Sequence, residues 1–517
     1  MIRTLIAAAL LGCAPAALAQ GSHAGHNAAP VAESASDPAG ERVGTEFMVF
    51  DTGVEGAAHQ HFLRGLALLH NFEYDRAAAA FRESQQADPD WVMSYWGEAM
   101  THNHPLWEQQ ELAAARAILA RLGPNPQARA AKARTPREAA WLGAVETLYG
   151  EGGTKEARDH LYLAKMRALH AADPADIDAR AFTGLAILGT SHGGRDIALY
   201  MEAAGVLEPG FMTHEQHPGI LHYLIHSYDD PIHAPLGERM AARYANVAPD
   251  AGHAQHMISH IYHALGDWEA SERANVLADA VVDRQRASSG LAPNSCGHYN
   301  EWLVYARLQL GKDASDIVSG CRSQAEAHIA RGAANRLGFG AASSYAAIAA
   351  WQGVDTGVWP DRIDEGTGEG FLLARMMLAH ARALQYRDDP QTVETALGEL
   401  QAVADAFALV LPQVAPDDRT SVAWAQRAVA QVDAIRMIAA GERDAGLIAL
   451  RAAAEAESAL PVVFGPPNIA KPSWEVLGEE LLALGRQQEA AEAFRRSLQF
   501  APNRKLSNAG LAAATGG

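Results

Sequence analysis

The C-terminal part of the chain has the residue spacing of a helix hairpin. Over residues 473–502 the apolar side chains recur every three or four positions, in two runs separated by a short turn. This period places them on one face of each of two α-helices. Gly478 and Ala490 are small, as is needed where two packed helices cross closely, and Phe494 fills the space that they leave. Pro502 ends the second helix.

The same spacing occurs near the other end of the chain. Residues 61–89 place Gly65, Ala77 and Phe81 at the corresponding positions, and a weaker copy covers residues 252–283. Strand signals are nearly absent, because runs of β-branched residues are few and Asn-Gly hairpin turns are missing. Repeated hairpins stack so that each covers its neighbour's apolar face. The sequence therefore predicts an all-α solenoid of helical hairpins with a concave groove.

The charge balance argues against one class of partner. The chain has 42 Lys and Arg residues against 61 Asp and Glu residues, a formal net charge of −19. A surface this acidic repels phosphate backbones, so we expect no nucleic-acid partner. No apolar run of about 18 residues follows the N-terminus, so we also expect no internal transmembrane span.

The first residues have the pattern of an export signal. Residues 1–19 combine Arg3, an apolar run and the small-residue cleavage motif Ala17-Leu18-Ala19. This predicts a signal peptide and a periplasmic or secreted protein. The alternative is a lipoprotein anchored at Cys13, which ends a Leu-Leu-Gly-Cys sequence.

The rest of the chain divides by composition. Residues 20–56 are rich in Ala, Gly, Ser and Glu without periodicity, which predicts a flexible leader. We expect an N-terminal solenoid over residues 57–352, a Gly-rich loop over 353–370, and a C-terminal helical region over 371–517 with a final repeat at 471–504.

Two cysteines remain once a signal peptide containing Cys13 is removed. Cys296 and Cys321 are spaced to lie on the two helices of one hairpin. In an oxidising compartment such a pair favours a disulfide, while a thiolate metal ligand at Cys296 is the alternative.

Histidines are concentrated in one part of the chain. Nine of the 22 histidines lie between His214 and His263. Among them, His222 and His226 stand one helical turn apart, and Asp229 follows on the same stripe. Two imidazoles at this spacing can bind one metal ion, and the carboxylate either completes the set or orients a ligand.

A second histidine stripe follows one repeat later. His253, His256, His260 and His263 share one side of a helix that starts near Gly252. Because the two helices belong to adjacent hairpins, their imidazoles can face each other.

These stripes predict a transition-metal site. The predicted metal ligands are His222, His226, Asp229, His256, His260 and His298. Imidazoles from two helices with a carboxylate suit Zn, Cu or Fe. Glu301, one turn after His298, is a candidate general base.

Two other interpretations of the histidines stay open. A buried histidine commonly hydrogen-bonds to a backbone carbonyl or an acid, as we expect for His214, His217, His233 and His263 near helix ends. Clustered histidines can also form a pH sensor, because they repel one another when charged.

The hairpins resemble the tetratricopeptide repeat (TPR) family at both ends of the chain, through the positions named above. The mature chain is also similar to a group of exported bacterial TPR proteins. This second resemblance rests on YWGEAM (residues 95–100), HYLIHSYDD (222–230), HAQHMISHIYHALGDW (253–268) and residues 465–485. It implies a TPR-like α-α solenoid and export, and it implies no known reaction.

Three functions remain after this comparison. The first is an exported protein that binds a transition metal in a histidine-lined pocket. The second is a scaffold that binds a protein or peptide in its concave groove. The third is a metalloenzyme acting on a small molecule, which needs an open coordination position. The chain has no H-E-x-x-H motif to support zinc-peptidase chemistry.

Overall fold

The computed structural model describes residues 40–51, 53–332, 336–360, 370–414, 418, 420–463 and 465–516. Within these residues the chain is built from helices, with one two-residue antiparallel pair, Asn103–His104 (β1) and Gln109–Gln110 (β2). The predicted all-α class is confirmed. The predicted signal peptide and Cys13 lie outside the described residues.

The helices follow one another with short connections. The first twelve are α1 (Ala57–His70), α2 (Tyr74–Ala87), α3 (Val92–Met100), α4 (Leu112–Leu122), α5 (Pro126–Ala130), α6 (Pro136–Leu148), α7 (Lys155–Ala172), α8 (Ile177–Leu188), α9 (Ile197–Thr213), α10 (Pro218–Tyr228), α11 (Ala234–Val247) and α12 (Gly252–Leu265). The remaining helices are α13 (Trp268–Ser288), α14 (His298–Gln309), α15 (Ser315–Arg331), α16 (Ala341–Thr356), α17 (Leu372–Gln385), α18 (Pro390–Val414), α19 (Ser421–Ala439), α20 (Arg443–Ser458), α21 (Ser473–Ala483), α22 (Gln487–Phe500) and α23 (Lys505–Thr515).

Consecutive helices pack as hairpins, and each hairpin packs on the next. The predicted crossing points explain the small residues. A Cβ atom on Gly478 would lie 2.7 Å from the Phe494 ring, and one on Gly65 would lie 2.9 Å from the Phe81 ring. Both distances are shorter than van der Waals contact, so the aromatic ring of the second helix requires glycine on the first. The fold is a TPR-like solenoid, as the repeats predict.

Part of the predicted flexible leader is packed. Val43, Met48 and Phe50 are buried, and the Phe50 ring lies 5.1 Å from the Phe62 ring of α1. The Asn71 side-chain amide donates to the carbonyl of Val43 at 2.8 Å. The prediction therefore differs from the structure here, because a few apolar side chains within a polar segment find the exposed face of the first hairpin.

The predicted loop over residues 353–370 begins later in the structure. Helix α16 continues through Gly353 to Thr356, and the Trp359 ring packs directly on Gly353. Glycine lowers helix propensity, but here it makes room for an aromatic ring, so packing overrides propensity. Residues 361–369 of the predicted loop lie outside the described part of the chain.

The two cysteines lie at one hairpin. Cys296 precedes α14 and is joined to Cys321 on α15 by a disulfide, with the two Cα atoms 4.2 Å apart.

One described helix, α18, is long and apolar enough to cross a membrane by length and composition. Val393, Leu400 and Phe407 bury one face of this helix in the C-terminal core. Helices α17 and α19 pack against it. This is the arrangement of an amphipathic core helix.

The C-terminal hairpin packs back on the middle of the solenoid. The Trp268 indole donates to the carbonyl of Asn503 at 3.0 Å, and the Asn503 amide donates to the carbonyl of Gly266 at 3.3 Å. These contacts join the last repeat to the turn between α12 and α13. The hairpin therefore contacts a part of the chain more than 230 residues away in sequence.

Arg504 stabilises this packing of the C-terminal hairpin on the middle of the solenoid through buried ion pairs. Its guanidinium donates to Glu475 at 2.9 and 3.0 Å and to Asp355 at 3.1 Å, and it also donates to the Tyr305 hydroxyl at 2.7 Å. All four side chains are buried.

We expect Arg504→Ala to lower the free energy of unfolding by about 3–5 kcal/mol, because two buried carboxylates lose their cation. Urea denaturation followed by circular dichroism measures this loss. Arg486→Ala, which removes an exposed pair with Glu489, should cost about 1 kcal/mol or less. Equal losses for the two variants would contradict the role assigned to Arg504.

Candidate metal centre

Helices α10, α12 and α14 bring six imidazoles together inside the solenoid. We call these residues the histidine cluster: His222, His226, His253, His256, His260 and His298. All six are buried, with relative exposures of 4% or less. Helix α10 begins at Pro218, with the His217 imidazole accepting from the backbone amide of Ile220. The structure therefore assembles every histidine that the sequence predicts as a ligand.

The cluster divides into two groups of three. In the first, one ring nitrogen each of His222, His226 and His253 lies within 4.8 Å of the others. The Nε2 atoms of His222 and His253 are 3.2 Å apart. The Nε2 atom of His226 is buried with no hydrogen-bond partner among the described residues.

The second group is His256, His260 and His298, whose ring nitrogens meet the same 4.8 Å limit. Nε2 of His256 lies 3.1 Å from Nε2 of His260 and 2.9 Å from Nε2 of His298. The three Nε2 atoms thus converge on one point.

Neighbouring groups fix the tautomers of two cluster histidines. His222 Nδ1 donates to the carbonyl of His70 at 2.6 Å. His256 Nδ1 donates to the Asn275 side-chain oxygen at 2.7 Å, and the Asn275 amide nitrogen donates to the carbonyl of Ser271. That second bond sets the orientation of the Asn275 amide. In a neutral imidazole whose Nδ1 donates, Nε2 carries a lone pair.

Asp229 orients two further imidazoles. Its Oδ2 accepts from His260 Nδ1 at 3.0 Å and lies 3.6 Å from His226 Nδ1. Its Oδ1 is paired with the buried Arg195 guanidinium, which also contacts Asp230 at 3.1 Å. Burial by itself would raise the pKa of Asp229, but Arg195 and the two imidazoles hold it well below its usual range. Of the two roles predicted for Asp229, the geometry fits the orienting one.

The surroundings of His222 and His226 favour the neutral form of these two imidazoles. Burial lowers the pKa of His226 below its ordinary value, and lowers that of His222 further with the help of the neighbouring His226. Metal ligation requires the neutral imidazole, so these surroundings favour it.

Aromatic side chains enclose the cluster. The Trp302 ring stacks on His260 at 4.5 Å and meets His256 edge-on at 4.8 Å. The Phe72 ring lies 4.3 Å from His222 and 5.5 Å from His253. Such walls exclude water and strengthen electrostatic interactions inside.

The sequence missed three members of the site. His253 lies on the predicted stripe, three residues before His256, so its spacing was an available signal. Arg195 and Trp302 carry no local motif, and their roles follow only from the packing of α9 and α14 beside the cluster.

Glu301 is not brought into the cluster. Its buried carboxyl hydrogen-bonds to Ser344 of α16, and its Oε2 has no partner among the described residues. Burial raises the pKa of Glu301 to about 8, although the bond to Ser344 opposes this shift. A carboxyl protonated at neutral pH cannot take up a proton, so the predicted role as general base is not supported by this geometry.

Two histidines beside the cluster have purely structural partners. His70 bonds to the Tyr223 hydroxyl and to Asp178, each at 2.9 Å. His217 bonds to Asp178 at 3.3 Å and accepts from the backbone amide of Ile220. Both ring nitrogens of each are thereby used, so a metal ion is not needed to satisfy them.

A cleft opens beside the second group. Asp229, His260 and His263 line one side, and the connector over residues 460–472 lines the other with Trp424, Trp474 and Phe500. His263 hydrogen-bonds to the backbone at Gly465 of this connector. The cleft is therefore formed jointly by the middle hairpins and the C-terminal region.

Comparison with known proteins supports the repeat assignment. A family model described as tetratricopeptide repeat matches residues 472–504, so the final hairpin belongs to the TPR family and this prediction is confirmed. A search of curated protein sequences found no match.

Solved structures give weak overall likenesses. The crystal structure of the APC/C hetero-tetramer Cut9-Hcn1 has 11% sequence identity and a TM-score of 0.35, covering 88% of this chain and 76% of that chain. The crystal structure of yeast Tom70 has 10% identity and a TM-score of 0.28, covering 90% of each chain. TM-scores this low carry no argument about the site.

The titration of Glu301 gives a test of its surroundings. The folded carboxyl has a pKa of about 8 against an ordinary value of 4.5. Between these two pH values the folded state therefore binds one proton more than the unfolded state. The free energy of unfolding of the wild type should therefore fall as pH rises through this window. Glu301→Gln cannot titrate, so we expect its stability relative to wild type to rise by about 5 kcal/mol as pH increases from about 4.5 to about 8.

Urea denaturation at several pH values measures this trend, with the exposed Glu326→Gln as the control. A constant difference between Glu301→Gln and wild type across the window would show that Glu301 is ionised in the folded protein.

Proposed function

We propose that this protein binds transition-metal ions in the histidine cluster. One observation carries the proposal. Nδ1 of His256 donates to Asn275 and Nδ1 of His260 donates to Asp229, so both Nε2 atoms present lone pairs, yet they face each other at 3.1 Å. Two imidazole nitrogens that face each other in this way can coordinate one cation between them.

The surroundings support the same proposal. The ligand rings are held by Asp229, Asn275 and a backbone carbonyl, which is the support that metal-binding histidines require. By contrast, the neighbouring His70 and His217 are fully satisfied by Asp178, Tyr223 and the backbone.

The cleft favours a second candidate function, a metalloenzyme acting on a small molecule. It reaches His260 from outside the cluster and is lined mostly by apolar and aromatic side chains with a few polar groups. This is the usual composition of a small-molecule site.

TPR repeats form scaffolds for protein interaction, and the matched repeat supports such a role for this fold. The chain's own C-terminal region contacts the middle hairpins beside the histidines, where the backbone at Gly465 meets His263. We therefore propose that any protein partner binds elsewhere on the solenoid.

We also propose export to an oxidising compartment. The pattern in residues 1–19 supports it, and a disulfide between Cys296 and Cys321 suits such a compartment. Mass spectrometry of the mature protein should find Gln20 at the N-terminus. A lipid-modified Cys13 would instead establish the anchored form, and an intact Met1 in the purified native protein would contradict export.

Metal content tests the main proposal. Full-length protein without an affinity tag should retain metal after exposure to Cu, Zn or Fe salts and dialysis, measured by elemental analysis. The double variant His226→Gln/His260→Gln removes one imidazole from each group, and its metal content should fall to background.

The matched control is His380→Gln. His380 is also buried and bonds to Gln431 at 2.7 Å in the C-terminal core, away from the cluster. This variant should bind as much metal as wild type. Equal metal content in the double variant and the control would overturn the site, and absence of metal in all three proteins would overturn the proposed function.

A further inference from the structure

Resting on the proposed function, we infer that the histidine cluster binds two copper ions, one at each group of three imidazoles. The inference begins with the ligand count. The two groups share no residue, and each supplies three nitrogens within 4.8 Å of one another. Three imidazoles are a complete protein ligand set for one ion, so six provide for two.

The ring spacing shows how the two groups adjoin. Within the groups, the rings of His222 and His226 lie 4.8 Å apart between centroids, and those of His256 and His298 lie 4.5 Å apart. Across the groups, the rings of His226 and His260 lie 5.8 Å apart, and one ligand atom of each also lies within 4.8 Å of the other and of Asp229. Two ions bound at the two groups would therefore be close neighbours, with Asp229 beside both.

The backbone produces this pairing directly. His253 and His256 are three residues apart on α12, so consecutive turns of one helix supply one ligand to each group. His226 and His260 then face each other across α10 and α12, and Asp229 contacts Nδ1 of both. One carboxylate thus orients a ligand in each group and links the two sites.

The charge around the cluster favours monovalent over divalent ions. All six ligands are imidazoles, which bind a metal ion in their neutral form, and beside them Arg195 pairs with the two carboxylates of Asp229 and Asp230, which leaves an excess of one negative charge. Two divalent ions would bury four positive charges in a region with little excess negative charge, which is costly. Two Cu(I) ions bury half as much charge, and imidazole is a good ligand for copper.

The experiment is a titration of the full-length protein with Cu(I) under anaerobic conditions, followed by dialysis and elemental analysis. We expect two copper ions per chain. His222→Gln should retain one ion, bound by the second group, and His298→Gln should retain one ion, bound by the first group. The double variant His222→Gln/His298→Gln should retain none. His380→Gln is the control and should retain two, which separates ligand loss from general destabilisation.

Each other outcome has a definite meaning. One copper in wild type, or loss of all copper in either single variant, would overturn the two-ion inference and leave a single metal site as proposed above. Replacement of bound Cu(I) by an equal concentration of Zn(II) would overturn the assignment to copper. No bound metal in wild type would overturn the proposed function together with the inference.

Discussion

The packing of each hairpin on the next controls the orientation of the histidine cluster. The carbonyl of His70 at the end of α1 fixes His222 on α10, and Asn275 on α13 fixes His256 on α12. Asp229, just after α10, fixes His260 on α12. Three of the six ligand rings are thus held by groups outside their own helix. A shift of one helix along its neighbour would break these bonds together, so the site requires the full stack of hairpins.

Helical periodicity predicted most of this arrangement, and its errors have physical causes. The stripes that contain His222 and His260 follow from the 100° rotation per residue, so their convergence was visible in the sequence. Around the axis of α14, Glu301 and Trp302 lie on opposite sides of His298. Residue spacing alone does not determine which of these two sides of α14 faces the histidines and which faces α16. That choice is made by tertiary packing, which turns Trp302 toward the cluster and Glu301 toward Ser344.

Composition was a weaker guide than periodicity. The average polarity of residues 20–56 concealed Val43 and Phe50, which are enough to attach the segment to the first hairpin. The role of Arg195 was equally hidden, because an arginine 34 residues before Asp229 has no local pattern that links the two. Their pairing makes Asp229 an orienting group, since one of its oxygens is already occupied by a guanidinium.

The contact between the C-terminal hairpin and the middle hairpins changes how such a solenoid unfolds. In an open array each repeat contacts only its neighbours, so terminal repeats can fray independently. Here Trp268 contacts Asn503 across 235 residues of sequence, and Arg504 reaches Tyr305 and Asp355. These contacts close the array into a loop. Loss of the last repeat removes support from the middle ones, so the molecule gains the cooperativity of a globular domain.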